Sequence, residues 1–544
     1  MATFSPAAPP ANFLRHRKRV WLIAFAIGFL IGAAIGGYFI SSNWPYRHRK
    51  IMPLLEDDLA SQVEVTSYHR TYFPHPGFVA TGLTLRRKTA LNLPPFGHAE
   101  KMVVQGRWRD LLLLRQRVMT VEVTGLHIVI PPIGSRANHE NFPPGSSSDF
   151  TGPDTAVEMF KFHNTVFEIM KNDGSRLIFP IRELDLAHFE KNKAVNYSVD
   201  MQNAIPSGRI QAQGIFGPLN AKQIGSTPVS GNFTFTTVNL QDVGDIGGTL
   251  GSKGQFRGPL GAIEAQADSV TPNFSVDNGK PTPVAASIQC TINGVNGDVA
   301  IHSIEAHTGR TTIRAIGTVQ GSSGEGSSDQ DPSGKTSNFD IDVQAGRAED
   351  VLRPFIADDV PITGSVWLRS HAYLAPTGAG GGFLHRLHVT GTFDVPAERV
   401  SDRDTEKSLS AFSERAQGKK TPDEDPHKPD QAKSSSPAAD VLSAIKGPAQ
   451  IRDGIASSQH LTFNIPGAQA DLGGTFNFHN KEVHLTGNLR MDTDISHTAT
   501  GFKSFLLKPL APFFKKKTAG ALVAIAVTGT PGHYQVTQDI LHKK

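Results

Sequence analysis

The chain has 544 residues, including 52 Gly, 36 Pro and a single Cys, and its formal net charge at pH 7 is +4. Its length allows three or four domains of about 150 residues or one long repetitive domain. A single Cys excludes a disulfide framework and metal sites built from several cysteines, and the near-balanced charge gives no reason to expect nucleic acid as a partner.

An uncharged apolar segment lies near the N-terminus. It runs from Val20 to Ile40, about 21 residues, which is the length that crosses a ~30 Å hydrocarbon core. Trp21 lies at one end, and Tyr38 and Trp44 lie at the other, where aromatic rings favour the lipid headgroup layer. Charged residues precede the segment, and it is longer than the apolar region of a cleaved signal peptide. It therefore predicts an uncleaved signal anchor, although small residues near its end leave cleavage open.

Short runs of alternating apolar and polar residues, closed by Gly, Asn or Pro, recur after this segment. This period of two predicts antiparallel strands with one apolar and one polar face. We expect a mainly β fold, with a long twisted sheet and a few short helices. Runs of this kind are Val118–Ile130, Val229–Val238, Thr311–Val319, Leu387–Val395, Ala470–Phe478 and Val483–Met491.

A glycine followed two residues later by an apolar residue recurs within these runs. It occurs at Gly231, Gly364, Gly391, Gly474 and Gly487. A glycine inside a strand marks a bulge, a bend or a close approach of two backbones. The irregular spacing argues against a solenoid of fixed period, and the recurrence favours a sheet that twists continuously.

Few segments have helical character. Val157–Lys171 fits either a helix or a strand, because it is rich in aromatic and β-branched residues. Ala348–Ile356 and Ala438–Ile445 are predicted to form short helices. Ala519–Val527 is apolar but too short to cross a bilayer, and it is predicted to be a buried strand.

Three segments have the composition of loops or disordered chain. They are Ser135–Pro153, Gly321–Ser337 and Asp402–Pro437. The last is charged and almost free of aliphatic residues, so it cannot bury enough apolar surface to order itself. It is predicted to tether the main sheet to a C-terminal unit.

No catalytic constellation stands out. The chain lacks a nucleophile elbow, a Walker loop and a His-Glu-x-x-His zinc motif. His371, His385 and His388 lie close together in sequence, but no carboxylate or Cys accompanies them at metal-ligand spacing. Cys290 lies in an alternating run and is predicted to be a small strand residue. We therefore expect a protein that is not an enzyme and has neither cofactor nor metal site.

A large alternating sheet can fold into a trough whose apolar face shelters lipid acyl chains. The 32 Phe greatly outnumber the 4 Trp and 7 Tyr, a bias toward aromatic rings without a polar group. The alternative is that these Phe fill the core of an ordinary sandwich. If the trough exists, the candidate lining residues are Phe233, Phe235, Val389, Phe393 and Phe476.

The segment Gly501–Lys517 combines apolar and basic residues. Such a segment can lie on an anionic membrane surface, but Pro509 and Pro512 interrupt it. The alternative is a short helix that caps the end of the sheet. The residues that would act in either role are Phe502, Phe505, Leu506, Phe513, Phe514, Lys515, Lys516 and Lys517.

The runs Tyr72–Arg87 and His98–Pro131 resemble the N-terminal region of the AsmA-like family of bacterial envelope proteins. The matching elements are a glycine-leucine turn, an alternating strand, a short leucine-rich helix and a strand that ends in Ile-Pro, at Gly82–Leu85, Ala99–Val104, Leu111–Leu114 and Val121–Ile130. Ala348–Leu368 resembles the helix and following strand of the family's central part, and Gly501–Val536 is similar to its closing region. The resemblance covers about half the chain.

The resemblance implies a non-enzymatic protein of the inner membrane, with a periplasmic β-groove related to chorein-type lipid bridges. The partners it implies are the inner membrane, phospholipid or another envelope lipid, and outer-envelope proteins. The function it implies is phospholipid transport or outer-envelope biogenesis, and the alternative is an assembly factor that pairs with strands of outer-membrane proteins. The expected organisation is a cytoplasmic tail (1–19), a single-pass anchor (20–41), an N-terminal AsmA-like region (42–134), a loop (135–156), a central sheet (157–401), a disordered linker (402–437) and a C-terminal AsmA-like region (438–544).

Overall fold

The structure is a computed structural model. It describes residues 44–58, 61–87, 94–113, 115, 117–132, 135, 156–171, 174–190, 192–220, 223–277, 279–321, 335–357, 360, 362–376, 382–400, 413, 443–491, 522–530 and 535–538. The apolar segment Val20–Ile40, the basic segment Gly501–Lys517 and, apart from Ser413, the predicted linker Asp402–Pro437 lie outside these residues.

Strands make up most of the described chain. They are β1 (Ser61–Thr71), β2 (Gly77–Arg87), β3 (Gly97–Gln105), β4 (Arg117–Thr124), β5 (His127–Ile130), β6 (Ala156–Met170), β7 (Arg176–Phe189), β8 (Val195–Asn203), β9 (Gly208–Phe216), β10 (Pro228–Asn239), β11 (Ile246–Gly247), β12 (Thr249–Pro259), β13 (Ile263–Val276), β14 (Thr282–Ile292), β15 (Val299–Thr308), β16 (Thr311–Gly321), β17 (Lys335–Arg347), β18 (Ile362–Leu374), β19 (Leu387–Val400), β20 (Ser443–Arg452), β21 (Ile455–Ile465), β22 (Ala468–Asn477), β23 (Val483–Met491), β24 (Leu522–Gly529) and β25 (Gln535–Gln538). The α-helices are short: α1 (His48–Asp58), α2 (Trp108–Leu112), α3 (Ala348–Leu352) and α4 (Phe383–Arg386). Turns of 3₁₀-helix occur at Ile224–Ser226, Leu240–Val243 and Arg353–Phe355.

Twenty-four of these strands form one large twisted sheet, and most of them pair antiparallel with the next strand of the chain. The mainly β prediction is confirmed. The sheet is mixed rather than wholly antiparallel, because β4 and β5 both pair parallel with β6. A parallel step requires a connection of a dozen or more residues. The chain has such a connection between Ile130, where β5 ends, and Ala156, where β6 begins.

The alternating sequence explains why these segments form strands. In β14, Val284, Ala286 and Ile288 share one face, while Ser287 and Gln289 lie on the other face and are exposed. Successive side chains of a strand point to opposite faces of the sheet. An alternating segment therefore buries its apolar side only as a strand, and a helical conformation would mix the two sets.

The structure shows whether the segments of helical or ambiguous sequence form helices or strands. Residues 156–170 form β6, the strand alternative for Val157–Lys171. The short helix predicted over Ala348–Ile356 is confirmed by α3 and the 3₁₀ turn after it. The helix predicted over Ala438–Ile445 is wrong at its end, because β20 begins at Ser443 and pairs with β19. The strand predicted over Ala519–Val527 is confirmed by β24, in which Val523 and Ile525 are buried.

Bulges keep the apolar residues on one face where strict alternation fails. In β10, Phe235 and Val238 are three residues apart, yet both lie on the same face of the sheet. The register shifts between them, and Thr237 has a positive φ of 54°. In β17, a shift after Val343 accompanies Ala345, whose φ is 52°. The extra residue of a bulge reverses the phase of the strand.

The strands on either side of Asp402–Pro437 pair directly with each other. β19 and β20 are antiparallel neighbours, with Val389 opposite Ile451 and Phe393 opposite Gly447. The C-terminal strands therefore extend the same sheet.

A buried carboxylate links three neighbouring strands. Asp200 of β8 accepts hydrogen bonds from Arg209 of β9 at 2.9 and 2.6 Å, and it also pairs with Arg182 of β7. The hydrogen bonds from Arg209, together with the charge of Arg182, hold the pKa of Asp200 below its usual value. A carboxylate with a lowered pKa stabilises the fold above the pKa of the unfolded state, about 3.9, and this stabilisation is lost as the pH falls through the folded-state pKa.

We expect Asp200→Asn to reduce the stability of the protein at pH 7 by about 1 kcal/mol, because it removes the negative charge that two partly exposed arginines pair with and leaves a neutral amide between them. The difference from the wild type should shrink below pH 4. Urea denaturation at pH 7 and at pH 3 measures both effects, and Asp394→Asn, at an exposed position of β19, is the control. An equal loss of stability at both pH values would contradict the assignment.

Candidate functional site

One face of the sheet is apolar across many strands in succession. Its residues follow from the register, because residues opposite each other on neighbouring strands lie on the same face. Three rows of opposed residues cross the sheet from β9 to β20. Row one consists of Ala212, Phe233, Gly254, Ala267, Ile288, Ile304, Ala315, Ile341, Ser370, Gly391 and Ala449. Row two consists of Ile210, Phe235, Ser252, Ser269, Ala286, Ala306, Ile313, Val343, Leu368, Phe393 and Gly447. Row three consists of Gly214, Gly231, Phe256, Ala265, Cys290, Ile301, Gly317, Phe339, Ala372, Val389 and Ile451.

The three rows, which we call the apolar face, contain no charged side chain between β9 and β20. The opposite face of the same strands carries many charges. Lys253, Asp268, Glu305 and Arg314 are examples, and all four are exposed. The two faces therefore differ sharply in charge over this part of the sheet.

Many residues of the apolar face are only half-buried. Phe233, Phe256, Ile288 and Ile304 keep some contact with solvent, although they lie on the apolar side of their strands. The core of a sandwich or a closed barrel would bury such residues almost completely. This part of the face therefore remains partly accessible from outside the protein.

The apolar face is more deeply buried near the two ends of the sheet. Near the first strands, Phe78 and Ala80 are 1% and 0% exposed, and Met52 of α1 packs into the same cluster. Near the last strands, Leu489, Met491 and Val523 form a second cluster of buried residues. A third buried cluster, which includes Val343, Val366 and Val395, lies on β17 to β19. The half-buried residues named above therefore lie on β10 to β15, between buried clusters.

The structure brings all five candidate lining residues onto this one face. Phe233 lies in row one, Phe235 and Phe393 lie in row two, and Val389 lies in row three. Phe476 of β22 extends row three, because Ile451 is opposite Ala456 and Ala456 is opposite Phe476. Sequence periodicity alone predicts that Phe233 and Phe235 share a face, and the register adds that the other three share it too.

Glycines opposite phenylalanines shape the surface of this face. A Cβ built on Gly254 would lie 2.9 Å from a ring carbon of Phe233, and one on Gly231 would lie 3.1 Å from the ring of Phe256. A Cβ on Gly317 would meet the ring of Phe339 at 2.7 Å. Each glycine therefore leaves room for a phenyl ring from the neighbouring strand. This explains the recurring glycine at Gly231 as a close approach.

Two furrows lined by both charged and apolar residues lie on the opposite face, and they were not anticipated from the sequence. Cavities of about 650 and 730 Å³ lie side by side across β15–β21, and they share a wall that contains Asp342 and Arg369. Arg369 pairs with Asp342 at 3.5 Å, and His371 pairs with Asp340 at 2.8 Å. Exposed pairs of this kind stabilise a fold by about 0–1 kcal/mol each. Only strand register brings these residues together, so the linear sequence carries no signal for them.

Each of the three histidines singled out by their spacing has a different partner. His371 pairs with Asp340 at 2.8 Å, while His385 of α4 lies 3.5 Å from Asp453. The ring of His388 contacts Tyr373 at a centroid distance of 5.7 Å. No group of three or more His, Cys, Asp or Glu suited to a metal ion occurs in the part of the chain that the structure describes.

Cys290 lies on the apolar face in row three, opposite Ala265 and Ile301. Burial raises the pKa of its thiol, so the thiolate form is disfavoured. Its position is that of the small strand residue predicted from the sequence.

The predicted membrane residues have different outcomes. Val20, Trp21 and Ile40, and the residues of Gly501–Lys517, lie outside the described residues. Among the helices that the structure describes, none has the length and hydrophobicity needed to cross a bilayer. Trp44 was expected in a headgroup layer, but its side chain is 0% exposed and contacts Tyr72 at 4.7 Å and Trp108 at 5.7 Å. That expectation is wrong, because neighbouring aromatic rings enclose the indole.

No model of a protein family matches the chain, and no curated protein matches it significantly.

Proposed function

We propose that the protein is a membrane-anchored lipid carrier in which the apolar face shelters acyl chains while the lipid headgroups stay in water. The observation that carries the proposal is the uncharged apolar face, which is continuous from β9 to β20 and half-buried over much of β10 to β15. A face of this size would expose apolar surface at a large cost in free energy if it had no occupant. In this proposal the twisted sheet curls around the face as a trough.

The energetics favour acyl chains as the occupants. Each methylene group moved from water to an apolar surface contributes about 0.8 kcal/mol, so a phospholipid with two chains gains well over 10 kcal/mol. Hydrophobic contact does not depend on the orientation of the groups, and it requires no specific polar partner along the acyl chain. The absence of charge in the three rows fits such a ligand, since a buried unpaired charge would oppose it.

The dimensions of the sheet set the scale of the trough. Neighbouring strands are about 4.8 Å apart, so 24 strands extend over roughly 110 Å along the sheet. A phospholipid occupies only a small part of that length. We infer that several lipids bind side by side and that the trough is a conduit, which works with a partner if the distance to be bridged is greater.

The location follows from the N-terminal segment. Its length and its flanking aromatic and basic residues support a single-pass anchor in the inner membrane, with most of the chain in the periplasm. The resemblance to the AsmA-like family supports the same location and a role in phospholipid transport or outer-envelope biogenesis. In this proposal the protein is not an enzyme, and its partners are lipids and the membranes that supply and accept them.

Photo-crosslinking in cells tests the proposed function. The full chain would carry benzoylphenylalanine in place of Phe233, Ile288 or Phe393 on the apolar face, in cells whose phospholipids contain labelled phosphate. We expect label to be attached to the chain at all three positions after irradiation. The matched controls carry the same residue at Thr234, Gln289 or Thr392, each of which is adjacent to the tested residue in the same strand and lies on the opposite face.

Crosslinks to lipid at neither set of positions would refute the lipid proposal. Crosslinks from the apolar face to protein instead would favour the assembly factor that pairs with strands of outer-membrane proteins. Equal labelling of the two faces would show that the crosslinks arise from non-specific contact with a membrane, and it would also contradict the proposal.

A further inference from the structure

An exposed apolar patch lies in two loops at the ends of the first strands. Phe73 and Tyr72, in the loop between β1 and β2, are 84% and 37% exposed. Leu112 and Leu113, at the end of α2, are 71% and 54% exposed. Both loops lie at the same ends of the strands, because Gly77 at the start of β2 is opposite Gln105 at the end of β3. We call Tyr72, Phe73, Leu112 and Leu113 the rim patch.

The two loops that carry the rim patch are fixed to each other. The backbone N–H of Gly106 donates to the carbonyl oxygen of Pro76 at 2.7 Å, and the rings of Phe73 and Trp108 are 5.6 Å apart. Arg107 donates to both carboxylate oxygens of Glu158 at 2.7 and 2.6 Å, which fastens the second loop to β6. These contacts fix the two loops, and the fixed loops leave the side chains of Phe73 and Leu112 exposed.

The charges around the rim patch are mostly positive. Arg109 lies within α2, and Arg115 and Arg117 follow it; all three are exposed. The acidic groups near them are Asp110, which is 8% exposed, Glu158, which is engaged by Arg107, and Glu190, which pairs with Lys193. Apolar side chains that project among exposed arginines match the interface of an anionic bilayer, where rings and aliphatic groups enter the acyl boundary and cations meet the phosphates.

The position of the N-terminal segment agrees with this match. The apolar segment Val20–Ile40 ends four residues before Trp44, and the ring of Trp44 contacts both Tyr72 and Trp108. An extended chain spans at most about 3.6 Å per residue, and four residues lead from the end of the apolar segment to Trp44. An anchor in this segment therefore holds Trp44 within about 15 Å of the membrane surface, and Tyr72 of the rim patch contacts Trp44.

We propose that the rim patch inserts into the interface of the anchoring bilayer and thereby seats the first strands of the sheet on the membrane. The inference rests on the membrane anchoring in the proposed function, and it adds a second contact with the bilayer. It goes beyond the proposed function because the anchor alone would leave the sheet free to tilt on its tether. Insertion of the patch would hold this end of the sheet in one orientation against its lipid source.

Fluorescence quenching in the full-length protein tests the proposal. The protein would carry Cys290→Ala, so that an environment-sensitive nitrobenzoxadiazole dye reacts only at Phe73→Cys or Leu112→Cys. It would be reconstituted into vesicles of phosphatidylethanolamine and phosphatidylglycerol containing a lipid with a spin-labelled acyl chain. We expect a blue shift of the emission and strong quenching at both positions.

The control is Glu64→Cys, an exposed position of β1 that is seven residues, or about 23 Å, from the end of the strand at Thr71. It shares the tether but should show no quenching. If the protein resists extraction from the vesicles by alkali but neither Phe73→Cys nor Leu112→Cys is quenched, the rim patch does not insert and the anchor stands. If alkali removes the protein, the anchor itself is refuted and the inference fails with it. Quenching equal to that of Glu64→Cys would also overturn the inference, because proximity alone would explain it.

Discussion

Replacing Phe233 and Phe393 together by Asp should reduce the number of phospholipids bound per chain, because the lipids in contact with either carboxylate should bind about tenfold or more weakly. An unpaired carboxylate in contact with acyl chains costs several kcal/mol, and 1.4 kcal/mol corresponds to a factor of ten in binding. The two residues lie on β10 and β19, so the double variant introduces charge at well-separated points of the apolar face. Lipid extracted from the purified protein and quantified by mass spectrometry measures the effect.

The matched control is the double variant Thr234→Asp and Thr392→Asp. These residues follow or precede the two phenylalanines on the same strands, are exposed, and lie on the polar face. The control should retain wild-type lipid. Circular dichroism of both variants separates loss of lipid from loss of fold, because both phenylalanines are half-buried. If the two variants lose lipid equally while both remain folded, the apolar face is not the binding surface.

Gly254→Val should destabilise the protein by about 2–3 kcal/mol, the range of overpacked sites. Its Cβ would overlap the carbonyl oxygen of Gln266 and would lie 2.9 Å from Phe233 and 3.0 Å from the Cα of Ala267. Two of these neighbours are backbone atoms, so the strand itself must shift to accommodate the side chain. The apparent midpoint of thermal denaturation, followed by circular dichroism, measures the loss.

The control for this substitution lies in the same strand. A Cβ on Gly251 would meet no other atom within 4 Å, so Gly251→Val should be neutral or slightly stabilising, since valine favours strands. Equal effects of the two substitutions would show that glycine is required throughout β12 for a reason other than the space occupied by the Phe233 ring.

Much of the sheet can be predicted from alternation alone. β9, β12 and β14 alternate without interruption, so the sequence shows both their conformation and their apolar side. The mainly β class and the sharing of one face by Phe233 and Phe235 follow from this pattern. Alternation is a local property, and it is reliable where no bulge intervenes.

The features that depend on pairing between strands are not accessible in this way. The bulge at Thr237 reverses the phase between Phe235 and Val238, and no residue type in that stretch requires it. The parallel pairing of β4 with β6 depends on the path of the chain between them. Ser443 begins a strand although the preceding residues have helical spacing, because pairing with β19 outweighs local propensity.

An apolar strand face could be predicted from the sequence, but the residues that continue it from strand to strand could not. Each phenylalanine of the lining could be assigned to a strand, but only the register shows that Phe476 continues the row that contains Val389. The exposure of Phe73 and Leu112 was likewise hidden, because loop residues have no periodicity from which a direction can be read. Trp44 shows the same limit, since proximity to an apolar segment suggested a lipid contact where the structure has a protein contact.

Native mass spectrometry of the chain from Asn43 onward, purified without detergent, tests the central claim most directly. The cut should precede Trp44, because Trp44 is buried and Met52 of α1 belongs to the core of the first strands. We predict that several phospholipids remain bound per chain and that lipid extraction recovers them in matching amount. A soluble, folded protein that carries no lipid would contradict the account, because the apolar face would then be closed by the protein itself.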